Sequence, residues 1–121
     1  MAVELNHTIV WATDRAASAE FLAGVLGVAV GAETPPFLPL VLDNGVTLDF
    51  AEADVVAGQH YAFLVGDAEF DAAFARLTES GTPVFADPFH RTPGINRLFG
   101  GRGLYFADAD GHNMELLTKA G

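Results

Sequence analysis

The sequence predicts an α+β fold made of two βαβββ modules. Three observations carry that prediction. Strand-like and helix-like patterns follow each other in the same order twice along the 121 residues. Landmarks of the two passes keep nearly constant spacing: His7 and His60 are 53 positions apart, and the helix-ending Gly27 and Gly81 are 54 apart. A hairpin glycine closes each pass, Gly45 and Gly111, and four residues after each stands a carboxylate, Asp49 and Glu115. These later offsets are 66 because the second pass carries extra chain over 87–102. A repeat of this length marks two copies of one supersecondary unit.

Residues 3–11 alternate imperfectly and are β-rich, so they form the first strand. Thr13 or Asp14 caps the helix that follows, because its side-chain oxygen accepts a free N–H of the first turn. Residues 16–26 place Phe21, Leu22, Val25 and Leu26 at helical spacing, and Gly27 ends the run. A short strand is expected over 28–30, then a breaker at Glu33-Thr34-Pro35-Pro36. Residues 37–42 read as a strand that Pro39 confines to an edge or distorts. Asp43-Asn44-Gly45 is a hairpin signal, and 46–51 alternates behind it.

The second pass opens with a strand over 59–65 and a helix over 68–79, with Asp67 as its cap. Phe70, Phe74 and Leu77 share one face of that helix, and Gly81 ends it. A short strand is expected over 83–86, then an irregular segment over 87–102. Residues 103–107 form a strand, Asp108-Ala109-Asp110-Gly111 a turn, and 112–118 the last strand. The modules span about 3–53 and about 59–119 of a single domain covering 1–121.

Composition narrows the function classes. Six basic residues stand against sixteen acidic ones, for a net charge of -10. Nucleic acid and anionic membranes are poor partners for such a surface, whereas a cationic small molecule suits it. The absence of cysteine excludes disulfides, thiolate metal sites and cysteine nucleophiles. Half the residues are hydrophobic, enough to line a pocket or face a second subunit as well as fill a core. The first residues show no secretory signal pattern, and the longest apolar stretch is too short to span a bilayer, so a cytoplasmic protein is expected.

The repeat superimposes His7 on His60 and Asp49 on Glu115. A strand histidine alone is more often a packing or surface residue than a ligand. Two histidines and two carboxylates at matching places are metal-site chemistry, since imidazole and carboxylate suit Fe, Zn, Mn, Ni or Co. Parity puts Asp49 opposite Val46, Leu48 and Phe50, and Glu115 opposite Met114 and Leu116. Apolar residues flank both histidines, so parity leaves their direction open. The shorter Asp49 either ligates or supports a ligand from behind. His112, opposite Glu115 in parity, reads as a turn residue.

The run Gly103-Leu104-Tyr105-Phe106-Ala107-Asp108-Ala109-Asp110-Gly111-His112-Asn113-Met114-Glu115 resembles the aromatic-strand, acidic-turn and glutamate signature of the vicinal oxygen chelate superfamily. That superfamily holds glyoxalase I, fosfomycin-modifying enzymes, extradiol dioxygenases and bleomycin-resistance proteins, and the resemblance covers essentially the whole chain. It implies cupped mixed sheets and a divalent metal on His7, His60, Glu115 and Asp49. Its fourth position is often Glu, Gln or His, or does not bind, where this chain has Asp49. It also implies a homodimer with sites at the interface. The metal would chelate two neighbouring oxygens of a small oxygen-rich substrate, and the residues suit isomerase, lyase or dioxygenase chemistry alike.

The long segment shapes the expected pocket. Arg91, Arg97 and Arg102, half of the basic residues, fall in or beside it, and guanidinium pairs two-pronged with carboxylate or phosphate. Pairing with surface Asp or Glu is the competing expectation. Phe89, Ile95, Leu98 and Phe99 would make an apolar lid, with Gly94, Gly100 and Gly101 as hinges. Trp11 walls the pocket or fills the core. Tyr105, Tyr61 and His90 are the candidate proton carriers beside their packing roles, Tyr105 and His90 standing first. A metal-free protein that sequesters a drug or metabolite, of the bleomycin-resistance type, is the reading from a different class; its ligand would be cationic.

Overall fold

In the computed structural model, which describes residues 2–121, the elements run β1 His7–Ala12, α1 Arg15–Leu26, β2 Leu38–Val41 and β3 Thr47–Glu52. They continue with β4 His60–Leu64, α2 Asp67–Glu79, β5 Gly103–Ala107 and β6 Asn113–Leu117. Two compact units result, the first ending at Val56 and the second beginning at Ala57. Each holds one helix and a three-stranded mixed sheet, in the orders β1-β3-β2 and β4-β6-β5. No helix among the described residues is long and apolar enough to cross a membrane.

In the first unit β1 runs parallel to β3 and β2 antiparallel to it. Val10, Ala12, Leu40, Leu48 and Phe50 are buried, and α1 packs on all three strands through Ala19, Leu22, Ala23 and Val25. Of the two expected caps, Asp14 is the one: its carboxylate accepts from Ala17 N–H at 3.1 Å. Gly27 ends α1 at φ 73, a left-handed conformation that glycine adopts without a Cβ clash. Arg15 pairs with Glu33 and donates to the Pro36 carbonyl, tying the breaker segment to the start of α1.

The second unit repeats the arrangement. β4 is parallel to β6, and β5 antiparallel to it. Its core is Phe63, Phe70, Ala73, Leu77, Leu104, Phe106, Met114 and Leu116. Arg102 bridges the start of β5 to α2, donating to Asp71 at 2.6 Å and Asp67 at 3.0 Å with its guanidinium 4.6 Å from the Phe70 ring centre. At the head of the sheet Gly58 lies against the Asp108–His112 turn, where an added Cβ would come within 2.6 Å of the Gly111 carbonyl oxygen.

Several expectations are corrected. The 28–30 strand does not form. Gly31 N–H reaches the Pro39 carbonyl at 2.9 Å, but proline has no N–H to return the bond, so a ladder cannot grow. The 83–86 strand is reduced to a bridge at Phe85, which exchanges both bonds with Tyr105. Its neighbours turn to the long loop instead: Ala86 donates to the Thr92 carbonyl and Gly94 to that of Val84. Asp67 is not the cap of α2; Gly66 holds that place, and the Asp67 side chain is engaged by Arg102. On α2, Ala73 rather than Phe74 completes the buried stripe, and Phe74 stays 40% exposed. His112 is not a turn side chain on the surface. It is completely buried, its Nδ1 accepting from Gln59 N–H at 3.0 Å and its ring edge-on to Tyr61.

A candidate metal centre in two half-sets

The second sheet brings its chemistry onto one face through register. His60 stands beside Asn113, and Glu115 lies between Ala62 and Tyr105. Laterally paired residues point to the same side of a sheet, so His60, Asn113, Glu115 and Tyr105 share a face. The opposite face carries the buried Phe63, Met114, Leu116, Leu104 and Phe106. His60 Nε2 and Glu115 Oε1 are 3.0 Å apart, with the imidazole side chain 47% exposed and the carboxylate only 13%. So exposed a pair adds little to stability, about 0–1 kcal/mol at most. Its geometry calls for another explanation.

Tyr105 is 7% exposed, and its hydroxyl bonds to Glu115. Burial, then the charge of Glu115 and the bond to it, with a smaller push from Asp87, raise the phenol above its ordinary range. Tyr105 therefore stays an O–H donor and holds one side of the carboxylate. Tyr61, on the other face, is also raised, by burial first and by the charge of Asp108 second.

The long loop docks against the same sheet. Asn96 exchanges two bonds with Gly103, and Phe85 two with Tyr105. Asp87 closes the turn, its carboxylate accepting from Thr92 N–H at 2.7 Å, Arg91 N–H at 2.9 Å and Phe89 N–H at 3.2 Å. Those backbone donors, Thr92 first, hold the Asp87 carboxyl below the usual range. His90 sits within the turn at φ 56, stacked on Phe85, and its Nε2 meets Asn113 Oδ1 at 2.8 Å.

In the first unit the backbone register is the same and the surroundings differ. His7 stands beside Thr47, as His60 does beside Asn113, and Asp49 lies between Ile9 and Pro39. His7 is exposed, its Nδ1 2.8 Å from Asn6 Oδ1. Trp11, two residues beyond Ile9 on the same face, is 46% exposed.

The remaining candidates lie apart. Arg91 is exposed, its guanidinium 5.5 Å from the Phe89 ring centre. Arg97 is exposed ahead of the short 3-10 turn Leu98–Gly100, in which Phe99 is 60% exposed. Arg102, grouped with them in sequence, is held in its two ion pairs with Asp67 and Asp71. Asn113 and Asp87 were not singled out from sequence. Asn113 was within reach, since it shares the parity of Glu115; Asp87 shows its role only once the turn is folded.

The donor types fit a divalent metal. Two ligand atoms side by side at the roughly 2.0–2.2 Å bonds of imidazole and carboxylate are about 3 Å apart on an octahedral ion, and His60 and Glu115 already hold 3.0 Å. Among the described residues, though, no three His, Cys, Asp or Glu side chains form a group able to hold a metal. What each unit carries is one histidine and one carboxylate in matching register, His7 with Asp49 and His60 with Glu115.

Comparison with known proteins agrees with the two-module fold. The family model described as Glyoxalase/Bleomycin resistance protein/Dioxygenase superfamily matches residues 4–116. Among solved structures the chain is similar to the oxidase ChaP-H1, at 56% identity over 98% of each chain with a TM-score of 0.95. It is 51% identical to the oxidase ChaP-H2 over 99% of this chain and 96% of that one, with a TM-score of 0.96. The fosfomycin resistance protein FosX from Listeria monocytogenes shares the fold, at 22% identity over 99% of this chain and 96% of that one and a TM-score of 0.76. No curated protein matches the chain.

Proposed function

Because the chain belongs to the Glyoxalase/Bleomycin resistance protein/Dioxygenase superfamily, we propose that it is a metal-dependent oxidase acting on a small oxygen-rich molecule. The observation that carries this reading is the shared register of the two His/carboxylate pairs, one already closed to 3.0 Å. The names of the ChaP-H relatives favour oxidation over the isomerase and lyase chemistries. His60 and Glu115 would hold the metal with His7, and Asp49 would ligate or stand behind; the metal is Fe, Zn, Mn, Ni or Co. When bound, it supplies Lewis acidity that draws in two adjacent substrate oxygens and stabilises developing negative charge. We further infer a homodimer, so that the half-sets of two chains complete each site.

The chain's own groups have separate tasks. Tyr105 orients Glu115 and keeps a proton available beside it. The exposed Ala62 and Leu64, in line with His60, offer apolar surface for the body of the substrate. Arg91 and Arg97, both exposed, would meet an anionic substituent of the substrate.

Metal content of untagged protein tests the reading, before and after His60→Ala and Glu115→Ala. Iron bound by the wild type, lost in both variants, and oxygen consumption with catechols support it. No divalent metal above background at micromolar supply sinks it. The metal-free binding protein then stands, a reading favoured by the net charge of -10, which suits a cationic ligand.

A further inference from the structure

The turn that carries His90 is held without it. Asp87 binds three backbone N–H groups, the His90 N–H reaches the Asp87 carbonyl at 3.2 Å, and Asn113 Nδ2 reaches the Pro88 carbonyl at 3.0 Å. The imidazole is not needed to close the loop. Yet a non-glycine residue occupies a left-handed conformation there, at φ 56, which side chains with a Cβ rarely adopt. Its ring lies flat on Phe85, with centroids 4.6 Å apart and planes 6° from parallel. The side chain is held in place more firmly than a loop residue requires.

The hydrogen bonds also fix which ring nitrogen carries the proton. Asn113 donates through Nδ2 to Pro88, so its amide cannot be turned over without losing that bond. Its Oδ1 faces His90 Nε2 at 2.8 Å and only accepts. Nε2 therefore bears the hydrogen and Nδ1 the lone pair. No partner for Nδ1 is found among the described residues. Asn113 is itself the neighbour of His60 in the ladder, on the face that carries Glu115 and Tyr105.

We propose that Asn113 is a positioning residue that locks His90 in its Nε2–H tautomer, and that the Nδ1 lone pair accepts a hydroxyl of the ligand bound on this face. The ligand class is a hydroxyl-bearing small molecule. This rests on the proposed function only for where the ligand sits; the tautomer is a property of the metal-free chain.

Two measurements test it. Two-bond proton–nitrogen correlation spectra of metal-free protein at pH 8 should show a protonated Nε2 and a bare Nδ1 at His90. The same pattern is expected in Asn113→Asp, which keeps the acceptor, and a mixture of tautomers in Asn113→Leu. A wild-type spectrum with Nδ1 protonated, or already mixed, overturns the lock whether or not the leucine variant folds. For the acceptor role the probes, at the same pH 8, are phenol, which keeps its O–H there, and anisole, which lacks it. His90→Ala should weaken phenol about tenfold, the worth of one net hydrogen bond, and leave anisole unchanged. Equal effects on the two, or no binding of phenol by the wild type, overturn that role. Metal content is read separately, so a protein that holds no metal but shows the expected spectrum fails the proposed function and supports the lock.

Discussion

The two units place a histidine and a carboxylate by the same means and then treat them differently. The correspondence extends through the backbone. Thr47 N–H reaches the Asn6 carbonyl at 3.0 Å as Asn113 N–H reaches that of Gln59 at 2.8 Å. Leu42 N–H bonds the Val46 carbonyl as Asp108 N–H bonds that of His112, and Gly45 and Gly111 close the two turns alike. The side chains around the carboxylates diverge. Glu115 is flanked by Tyr105 and its hydroxyl, where Asp49 is flanked by Pro39. His60 has Asn113 beside it and His90 beyond, where His7 has Thr47. Register delivers a histidine and a carboxylate in each unit; the neighbours decide which pair is held. The second unit surrounds its pair with partners, and the first leaves its pair simpler.

The sharpest way to break that comparison is to remove the carboxylates one at a time. Glu115→Ala should reduce metal affinity at least about 100-fold, and Asp49→Ala about tenfold or less. Calorimetric titration with Zn or Mn reads both, and equal losses would mean that the units contribute equally. Next comes the buried histidine that the first unit replaces with Val46. His112→Ala leaves the Gln59 N–H without its acceptor and opens a cavity, and should cost about 3 kcal/mol of stability by urea unfolding. Val46→Ala, half-buried on the matching turn, should cost about 1 kcal/mol.

Tyr105→Phe removes the hydroxyl that steadies Glu115 and keeps the ring. Metal affinity should fall about tenfold with little change in melting temperature; an unchanged affinity would show that Glu115 needs no second partner. The smallest effect concerns acid. The Asp87 carboxyl is lowered from its ordinary value of 3.8, so its contribution is fully present above that value and fades as pH falls through the lower native one. Amide exchange at Phe89, Arg91 and Thr92 should quicken there before the strands respond. A simultaneous change in β3 would refute a local origin.

The repeat was legible because its markers are local. Gly27 and Gly81 end helices, Gly45 and Gly111 close hairpins, and the intervals between such residues survive in one dimension. The short strands expected over 28–30 and 83–86 were not legible as absent, since that outcome depends on where distant backbone donors go. His112 carried a usable signal: it shares the parity of Met114 and Leu116, both fully buried. Its position next to Gly111 argued for a turn and outweighed the pattern. Asn113 had the parity of Glu115. What no spacing encodes is that His90, 23 positions earlier, reaches it, because the contact exists only after the loop folds back along β5.

Pro39 has one more consequence. It lies on β2, an edge strand of its sheet, with its carbonyl already taken by Gly31 and no N–H to offer. Two residues earlier, Phe37 exchanges its outward bonds with Thr34. A strand from another molecule therefore meets little there to pair with, and this border resists the edge-to-edge growth that leads to aggregation.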